Sequence, residues 1–289
     1  MRLDTWQINT RNDYSDALML TFILWLAWYL WPILGDLMQY LTNKKIKTKT
    51  TKQKGFVLYD GPSVLDGQPI VVIATMETSN RKTGQMVQTW IIRSDISPTE
   101  AAKIGLDSSV CGNCPQRWFN GGACYVNIGH APLAIYKGYK RGIYAKFDPD
   151  LHSDYITGRK IRLGAYGDPA AVPFEVMESI AKMGISWTGY THQIAHKQFD
   201  RRFIDLCQVS ADSPKQAIKY QSMGARTFRV AMEGDALADN EIECLADSKG
   251  IQCIDCMLCD GSNKNIALAV HGARKSKFKT NLIQTVEVA

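Results

Sequence analysis

The 289-residue sequence has no strong excess of charge outside its N-terminus and no enrichment in glycine or proline. It contains 22 glycines and 10 prolines, and 45% of its residues are hydrophobic, which excludes a collagen-like or disordered chain. Residues 55–289 hold 26 basic and 24 acidic side chains, against eight and four in residues 1–54. Because the body is nearly neutral, nucleic acid is a weakly supported partner.

Several enzyme signatures are also missing. His192 and His196 are four residues apart, but no HExxH motif of a zinc protease is present. The glycines of GAYGDP are not followed by the Lys-Ser/Thr pair of a phosphate-binding loop. No repeat of solenoid length is visible beyond two similar strand–helix units. The chemistry must therefore come from other residues.

One uncharged stretch, Ala17–Gly35, is long enough to suggest a membrane span. At about 1.5 Å per residue it nearly crosses a bilayer core of roughly 30 Å. We predict an N-terminal transmembrane anchor over residues 1–43, with a buried hairpin helix or an interfacial helix as alternatives. A cleaved signal peptide is disfavoured, because no basic region directly precedes the stretch.

The flanks of this stretch predict its orientation. Six lysines and no acidic residue lie between positions 44 and 54. The positive-inside rule places this side in the cytoplasm, so we predict a membrane-anchored protein with a cytoplasmic body. Residues 44–55 form a basic linker, either attracted to anionic lipid or simply solvated.

The body is predicted to be an α/β domain. Residues 56–105 indicate a small antiparallel β meander and a short helix, which Ser97 caps and Gly105 ends. Residues 106–275 form a cysteine-rich β/α region, and residues 276–289 form a tail. Helix is expected around 131–142, and strands are expected at ISWTGYTH and FIDLCQVSAD. The alternation of strands and helices after residue 160 predicts parallel pairing in a partial or distorted (β/α) barrel.

Polar residues follow the predicted strands, where sites of β/α folds lie. Gly167, Asp168, Thr191 and Ser210 are candidate cofactor-binding residues. Asp168 and Asp212 are candidate catalytic carboxylates, although Asp212 precedes Ser-Pro and such residues more often cap the next helix.

The eight cysteines give the strongest signal in the sequence. The first cysteine group is Cys111-x2-Cys114-x9-Cys124, and the second is Cys244-x8-Cys253-x2-Cys256-x2-Cys259. In a reducing compartment such spacing indicates metal ligands rather than disulfides. The run C-x2-C-x2-C is typical of [4Fe–4S] ferredoxins, so we predict iron–sulfur ligation, with zinc as the alternative. A fourth ligand for the first group could come from Cys207 or His130, and one shared cluster is also possible.

Two resemblances follow from these motifs. The ordered set VCGNCP, ACYVNIGHAP, RLGAYGDPAAVP and QCIDCMLCDG resembles a family of uncharacterised proteins carried by bacteriophages and prophages. This resemblance covers roughly residues 56–275 and implies no particular activity. It allows a non-enzymatic phage protein, stabilised by zinc or iron–sulfur sites, that acts in nucleic-acid transactions or at the host membrane.

The second resemblance is to radical S-adenosylmethionine enzymes, which have a three-cysteine loop followed by β/α units. It implies that Gly167-Asp168-Pro169 holds the methionine amino group of S-adenosylmethionine, and that Cys244–Cys259 forms an auxiliary cluster. The usual CxxxCxxC motif is replaced here by CxxC-x9-C. Apart from this difference, the resemblance implies a radical or redox enzyme that acts on a small molecule.

Overall fold

A computed structural model describes residues 53–278 and, before them, Leu30 alone. Apart from Leu30, the predicted anchor lies outside the described residues, as do most of the basic linker and most of the tail. Within the part that is described, no helix has the length and apolar character needed to cross a bilayer. Residues 53–278 belong to one compact unit, Gln53–Ala289.

The described strands and helices alternate along the chain. The strands are β1 (Gly55–Pro62), β2 (Pro69–Thr75), β3 (Val87–Arg93), β4 (Ala145–Lys146), β5 (Lys160–Tyr166), β6 (Ser186–Thr188), β7 (Tyr190–Thr191), β8 (Gln208–Ala211), β9 (Thr227–Ala231), β10 (Glu241–Glu243) and β11 (Asn265–Ala269). The α-helices are α1 (Pro98–Ile104), α2 (Ser108–Cys111), α3 (Ala131–Lys140), α4 (Pro149–His152), α5 (Phe174–Met183), α6 (Pro214–Ser222), α7 (Leu245–Ser248) and α8 (Cys253–Cys256).

The predicted antiparallel meander is confirmed. Strand β2 pairs antiparallel with β1 on one side and with β3 on the other. Both β2 and β3 are almost wholly buried, because they lie inside the sheet, and β3 buries the polar Gln88, Thr89 and Arg93 together with its apolar residues. The short β4 extends this sheet by parallel pairing with β1.

The predicted helix after the meander is also confirmed. The Ser97 hydroxyl accepts a hydrogen bond from the backbone amide of Glu100 at 3.3 Å, and Pro98 occupies the first turn. The helix ends at Gly105, whose φ of 83° lies in the left-handed region that favours glycine. Further along the chain, α3 matches the helix expected around 131–142.

The second half of the chain pairs in parallel, as the alternation predicted. The first sheet has the order β4-β1-β2-β3-β5-β6, and the second has the order β10-β11-β9-β8-β7. From β3 to β5 and β6, and throughout the second sheet, neighbouring strands are parallel. The fold is therefore mixed α/β with mostly parallel strands, while closure toward a partial barrel stays a prediction.

One predicted strand serves both sheets. The segment ISWTGYTH divides at Gly189 into β6, which pairs with β5, and β7, which pairs with β8. A Cβ atom at Gly189 would lie 2.7 Å from Sγ of Cys207, so only glycine fits between the two strands. This residue thus marks where the chain passes from one sheet to the next.

The strand expected over FIDLCQVSAD is present only in the second half of this segment. Strand β8 covers Gln208–Ala211, but Arg201–Asp205 forms a 3₁₀ turn. The Asp200 carboxylate accepts a hydrogen bond from the Arg202 amide at 2.9 Å and caps this turn. Local capping therefore overrides the β propensity of the apolar residues that follow.

Candidate functional site

The inner faces of five strands surround a cavity of about 370 Å³, here called the central cavity. Strand β5 contributes Arg162, Gly164, Ala165 and Tyr166, over which its pairing with β3 is irregular. Strands β7, β8, β9 and β11 or the residues that follow them add further lining side chains. The volume lies within the range of small-molecule sites.

Both cysteine groups reach the central cavity. All three cysteines of the first group line it, and so do Cys244 and Cys253 of the second. These segments are more than 100 residues apart in the sequence, so only the fold brings them to one space. The eight cysteines are free thiols rather than disulfides.

The loop of the first cysteine group is held by a buried ion pair. Arg117 binds the Asp107 carboxylate and also donates to the carbonyl oxygens of Gly105 and Gly112. Charge-assisted hydrogen bonds of this kind fix a loop that has little regular structure. They hold the chain on both sides of Cys111.

Two glutamines connect this loop to the parallel strands. The Gln193 amide donates to the Cys111 carbonyl at 2.9 Å and accepts from the Asn113 amide at 3.1 Å. The Gln116 side chain accepts from the Ala123 amide and donates to the Asp212 carboxylate at 2.9 Å. The cysteine loop is therefore positioned by side chains that follow β7 and β8.

The thiols of the first group lie close enough to affect one another. Burial raises the pKa of Cys111 well above its ordinary value, and the neighbouring Cys114, Asp107 and Cys124 raise it further. Burial, followed by the effect of Cys114, raises the pKa of Cys124 to about 11. A metal would have to displace protons from these thiols, because thiolates are the ligating form.

His192 stands beside the first cysteine group. Burial opposes its charged form, but Cys114 and the Asp212 carboxylate outweigh burial and raise the pKa of His192 well above its ordinary value. Its Nε2 lies 3.8 Å from Oδ2 of Asp212, too far for a hydrogen bond, and is a buried nitrogen without a partner. The imidazole thus has one unused polar atom at the site.

The second cysteine group is arranged by short helical turns. Cys244 precedes α7, and Cys253 and Cys256 are the first and last residues of α8. Met257 then adopts a left-handed φ of 52°, which turns the chain back toward Cys259. Backbone bonds from Cys253 and Ile254 to Lys82 and Thr83 fasten α8 to the loop between β2 and β3.

The thiols of this group also influence one another. Burial raises the pKa of Cys259 to about 12, with smaller contributions from Cys244, Cys253 and Cys256, while a bond from Tyr190 opposes the rise. Among the described residues, however, no three His, Cys, Asp or Glu side chains are placed to hold one metal ion. The sulfurs gather in two neighbourhoods without forming a tight single-ion site.

The two residues considered as fourth ligands lie elsewhere. His130 is exposed at the start of α3. Cys207 is fully buried behind Gly189 and does not line the central cavity. The imidazole that adjoins the first cysteine group belongs instead to His192.

Three of the four predicted cofactor-binding residues, Gly167, Asp168 and Ser210, line the central cavity. Thr191 is fully buried, and its hydroxyl accepts a hydrogen bond from the Gln193 amide. Asp212 does not cap α6, because Ser213 does so by accepting from Gln216 at 3.2 Å. It faces Gln116 and His192 instead, so a contact between distant segments replaces the local role that Ser-Pro suggested.

The Asp168 carboxylate is almost fully used by the protein. Its Oδ1 accepts from the Ala170 amide at 3.0 Å, and its Oδ2 accepts from the His192 amide at 2.8 Å and from Gln193 at 3.1 Å. Burial raises its pKa, although these hydrogen bonds oppose the rise. The side chain joins the end of β5 to the end of β7.

Sequence reasoning missed several cavity residues, among them Gln116, Tyr125, Arg162 and His192. Arg162 could have been found from its position in the predicted strand KIRLGAYGDPAA, and His192 from its place directly after Thr191 at the end of ISWTGYTH. Tyr125 carries no comparable local signal, because distant segments bring it to the cavity.

Comparisons of the chain with protein-family models, curated proteins and solved structures gave no match.

Proposed function

We propose that residues 53–278 form an iron–sulfur protein that performs redox or radical chemistry on a small molecule in the central cavity. One observation carries this proposal: cysteines from two groups that are distant in sequence line the same cavity as the polar residues at the strand ends. Cavities of this kind at the carboxyl ends of parallel strands are common ligand sites.

The cysteine chemistry favours a cluster over a single zinc ion. Four thiolates around one zinc ion must each lie about 2.3 Å from the same centre. In an iron–sulfur cluster each thiolate binds a different iron, so the sulfurs are more widely spaced. The C-x2-C-x2-C run suits the second arrangement.

Each cysteine group would hold its own cluster. The second group supplies four thiolates, and the first supplies three, with His192 adjacent to Cys114. A reduced cluster at the first group would supply one electron to a bound sulfonium cofactor such as S-adenosylmethionine. Gly167, Asp168 and Ser210 line the space that this cofactor would occupy, and Asp168 positions the chain around it.

Metal analysis of the anaerobically purified chain tests this proposal. We expect a brown protein that absorbs near 400 nm and contains about four iron atoms for each cluster. Cys114→Ser and Cys256→Ser should each remove about half of the iron, because each breaks one group. Cys207→Ser is the matched control and should keep all of it, since Cys207 belongs to neither cysteine group and is fully buried behind Gly189.

The contrary outcome is a colourless protein, or iron that stays unchanged in both variants. If the protein is brown, reducing it in the presence of S-adenosylmethionine and measuring cleavage distinguishes a radical enzyme from a simple cluster protein. Bound zinc in place of iron would favour the non-enzymatic phage protein.

A second candidate function rests on Cys114, His192 and Asp212. A thiol beside an imidazole, with a carboxylate next to that imidazole, is the arrangement of a cysteine nucleophile. The high pKa of His192 beside Cys114 supports it. The same metal analysis decides between the two functions, because a nucleophilic Cys114 stays free and reacts with iodoacetamide in an iron-free chain.

A further inference from the structure

One buried cation on the wall of the central cavity has no counter-ion. Arg162 is 8% exposed and lines the cavity from the middle of β5. An arginine side chain stays charged in proteins, so its burial is costly unless a negative group compensates it.

The contacts of Arg162 leave its charge uncompensated. One terminal nitrogen, Nη2, donates to the Tyr125 hydroxyl at 2.7 Å, but Nε is buried without a hydrogen-bond partner. Its electrostatic neighbours are Tyr125, Tyr190 and Cys253, none of which is a carboxylate. Within residues 53–278, no Asp or Glu forms an ion pair with it.

Two other charged groups of the cavity wall, Lys82 and Asp168, are already engaged. Lys82 is 41% exposed and pairs with Asp247 at 3.2 Å. Asp168 is the carboxylate among the described lining residues, and backbone and side-chain amides occupy its oxygens. Arg162 therefore differs from both, because it lines the cavity and its charge has no carboxylate partner among the described residues.

We propose that Arg162 binds the carboxylate or phosphate group of an organic anion held in the central cavity. This inference rests on the proposed function, which places a small molecule there, and adds the class of that molecule. Tyr125, Tyr190 and Phe228 also line the cavity, so the rest of the molecule is apolar or aromatic.

This binding mode also orients the ligand. Arg162 and Tyr166 both line the cavity from different positions of β5. Tyr166 adjoins Cys111 and Cys124, which contribute to its raised pKa after burial. An anion fixed at Arg162 thus directs its other end toward the first cysteine group.

Calorimetric titration of the anaerobically purified full chain tests the inference, with phenyl phosphate and phenol as probes. We expect phenyl phosphate to bind at least about 10-fold more tightly than phenol. Arg162→Met should weaken phenyl phosphate binding about 10- to 100-fold, because it removes a charge-assisted hydrogen bond. The phenyl phosphate affinity of Arg162→Lys should lie between those of the native chain and Arg162→Met, because lysine keeps the charge but lacks the planar guanidinium group.

Lys82→Met is the matched control, because it removes a cation from the same wall that is already paired. It should change phenyl phosphate affinity less than about 3-fold, and no variant should change phenol affinity. Equal binding of the two probes by the native chain overturns the inference, even if Arg162→Met does not fold. Unchanged phosphate affinity in Arg162→Met overturns it as well.

Iron content, measured on the same samples, separates this inference from the proposed function. An iron-free chain that prefers phenyl phosphate supports an anion site and contradicts the iron–sulfur proposal. A brown chain that does not prefer phenyl phosphate supports the iron–sulfur proposal and contradicts the anion site. Loss of iron in Arg162→Met with unchanged probe binding assigns the guanidinium to the second cysteine group and overturns the inference.

Discussion

The Asp168 carboxylate holds together the segments that surround the candidate site. Its oxygens accept hydrogen bonds from Ala170, His192 and Gln193, so the end of β5 is tied to the end of β7. Gln193 in turn holds Cys111 and Asn113. Through this chain of contacts Asp168 positions the first cysteine group, whatever further role it has toward a ligand.

Asp168→Asn should destabilise the protein by about 1–3 kcal/mol, because an amide group then faces donors that the carboxylate satisfied. Urea unfolding followed by tryptophan fluorescence measures this loss. The exposed Asp154→Asn is the control and should stay within about 0.5 kcal/mol of the native chain. Equal stability of the two variants would mean that the hydrogen bonds at Asp168 are dispensable for folding.

At the level of elements, a buried ion pair ties β9 to β10 across the intervening β11. Arg229 and Glu241 have side chains only 2% and 1% exposed, and they meet at 2.7 Å. Glu241 also accepts from the Ala238 amide, which fixes the loop before β10. The pair secures the strand order at the outer edge of the second sheet.

Glu241→Gln should cost up to about 3–5 kcal/mol near neutral pH, because it removes the buried partner of Arg229 and leaves only the exposed Asp235 carboxylate at 4.0 Å. Burial opposes ionisation of Glu241, but the bonds from Arg229 outweigh it and lower the pKa of Glu241. The stabilisation is therefore present above the unfolded-state pKa of about 4.3 and is lost as pH falls through the lower folded-state pKa.

Urea unfolding of the native and Glu241→Gln proteins between about pH 7 and pH 3 tests this dependence. The difference between their free energies of unfolding should become smaller at acidic pH. Glu243→Gln, an exposed position on the same strand, is the control and should show little loss at any pH. A difference in the free energy of unfolding that stays constant over this pH range would contradict a stabilising role for ionised Glu241.

At the level of the whole molecule, the meander and the cysteine-rich region share one sheet. Strand β3, before the boundary predicted near residue 105, pairs with β5 beyond it. The second cysteine group is also fastened to the loop between β2 and β3. Residues 53–278 therefore form a single structural unit.

We expect this unit to unfold in one cooperative transition. Circular dichroism and tryptophan fluorescence report on different parts of the unit, and their urea midpoints should coincide. Chelation of bound metal should lower both midpoints together, because a ligand of the native state stabilises the whole unit. Two separate transitions would show that the meander folds independently.

The sequence was sufficient to predict the elements whose signals are local. Hydrophobic periodicity, helix-capping residues and the alternation of strands and helices predicted the meander, the Ser97–Gly105 helix, α3 and the parallel pairing after residue 160. The Arg201–Asp205 turn was missed, because a single Asx cap outweighed an apolar run. The transition at Gly189 was missed too, since it depends on contact with Cys207.

For the site, the sequence by itself indicated the candidate metal ligands, because the spacing of cysteines is a local property. Only the tertiary structure decided that both groups open on one cavity, that His192 adjoins Cys114, and that Arg162 lies buried there without a counter-ion. The reason is physical: a side chain's chemistry is fixed by its type, whereas its neighbours and its exposure to water depend on how distant strands come together.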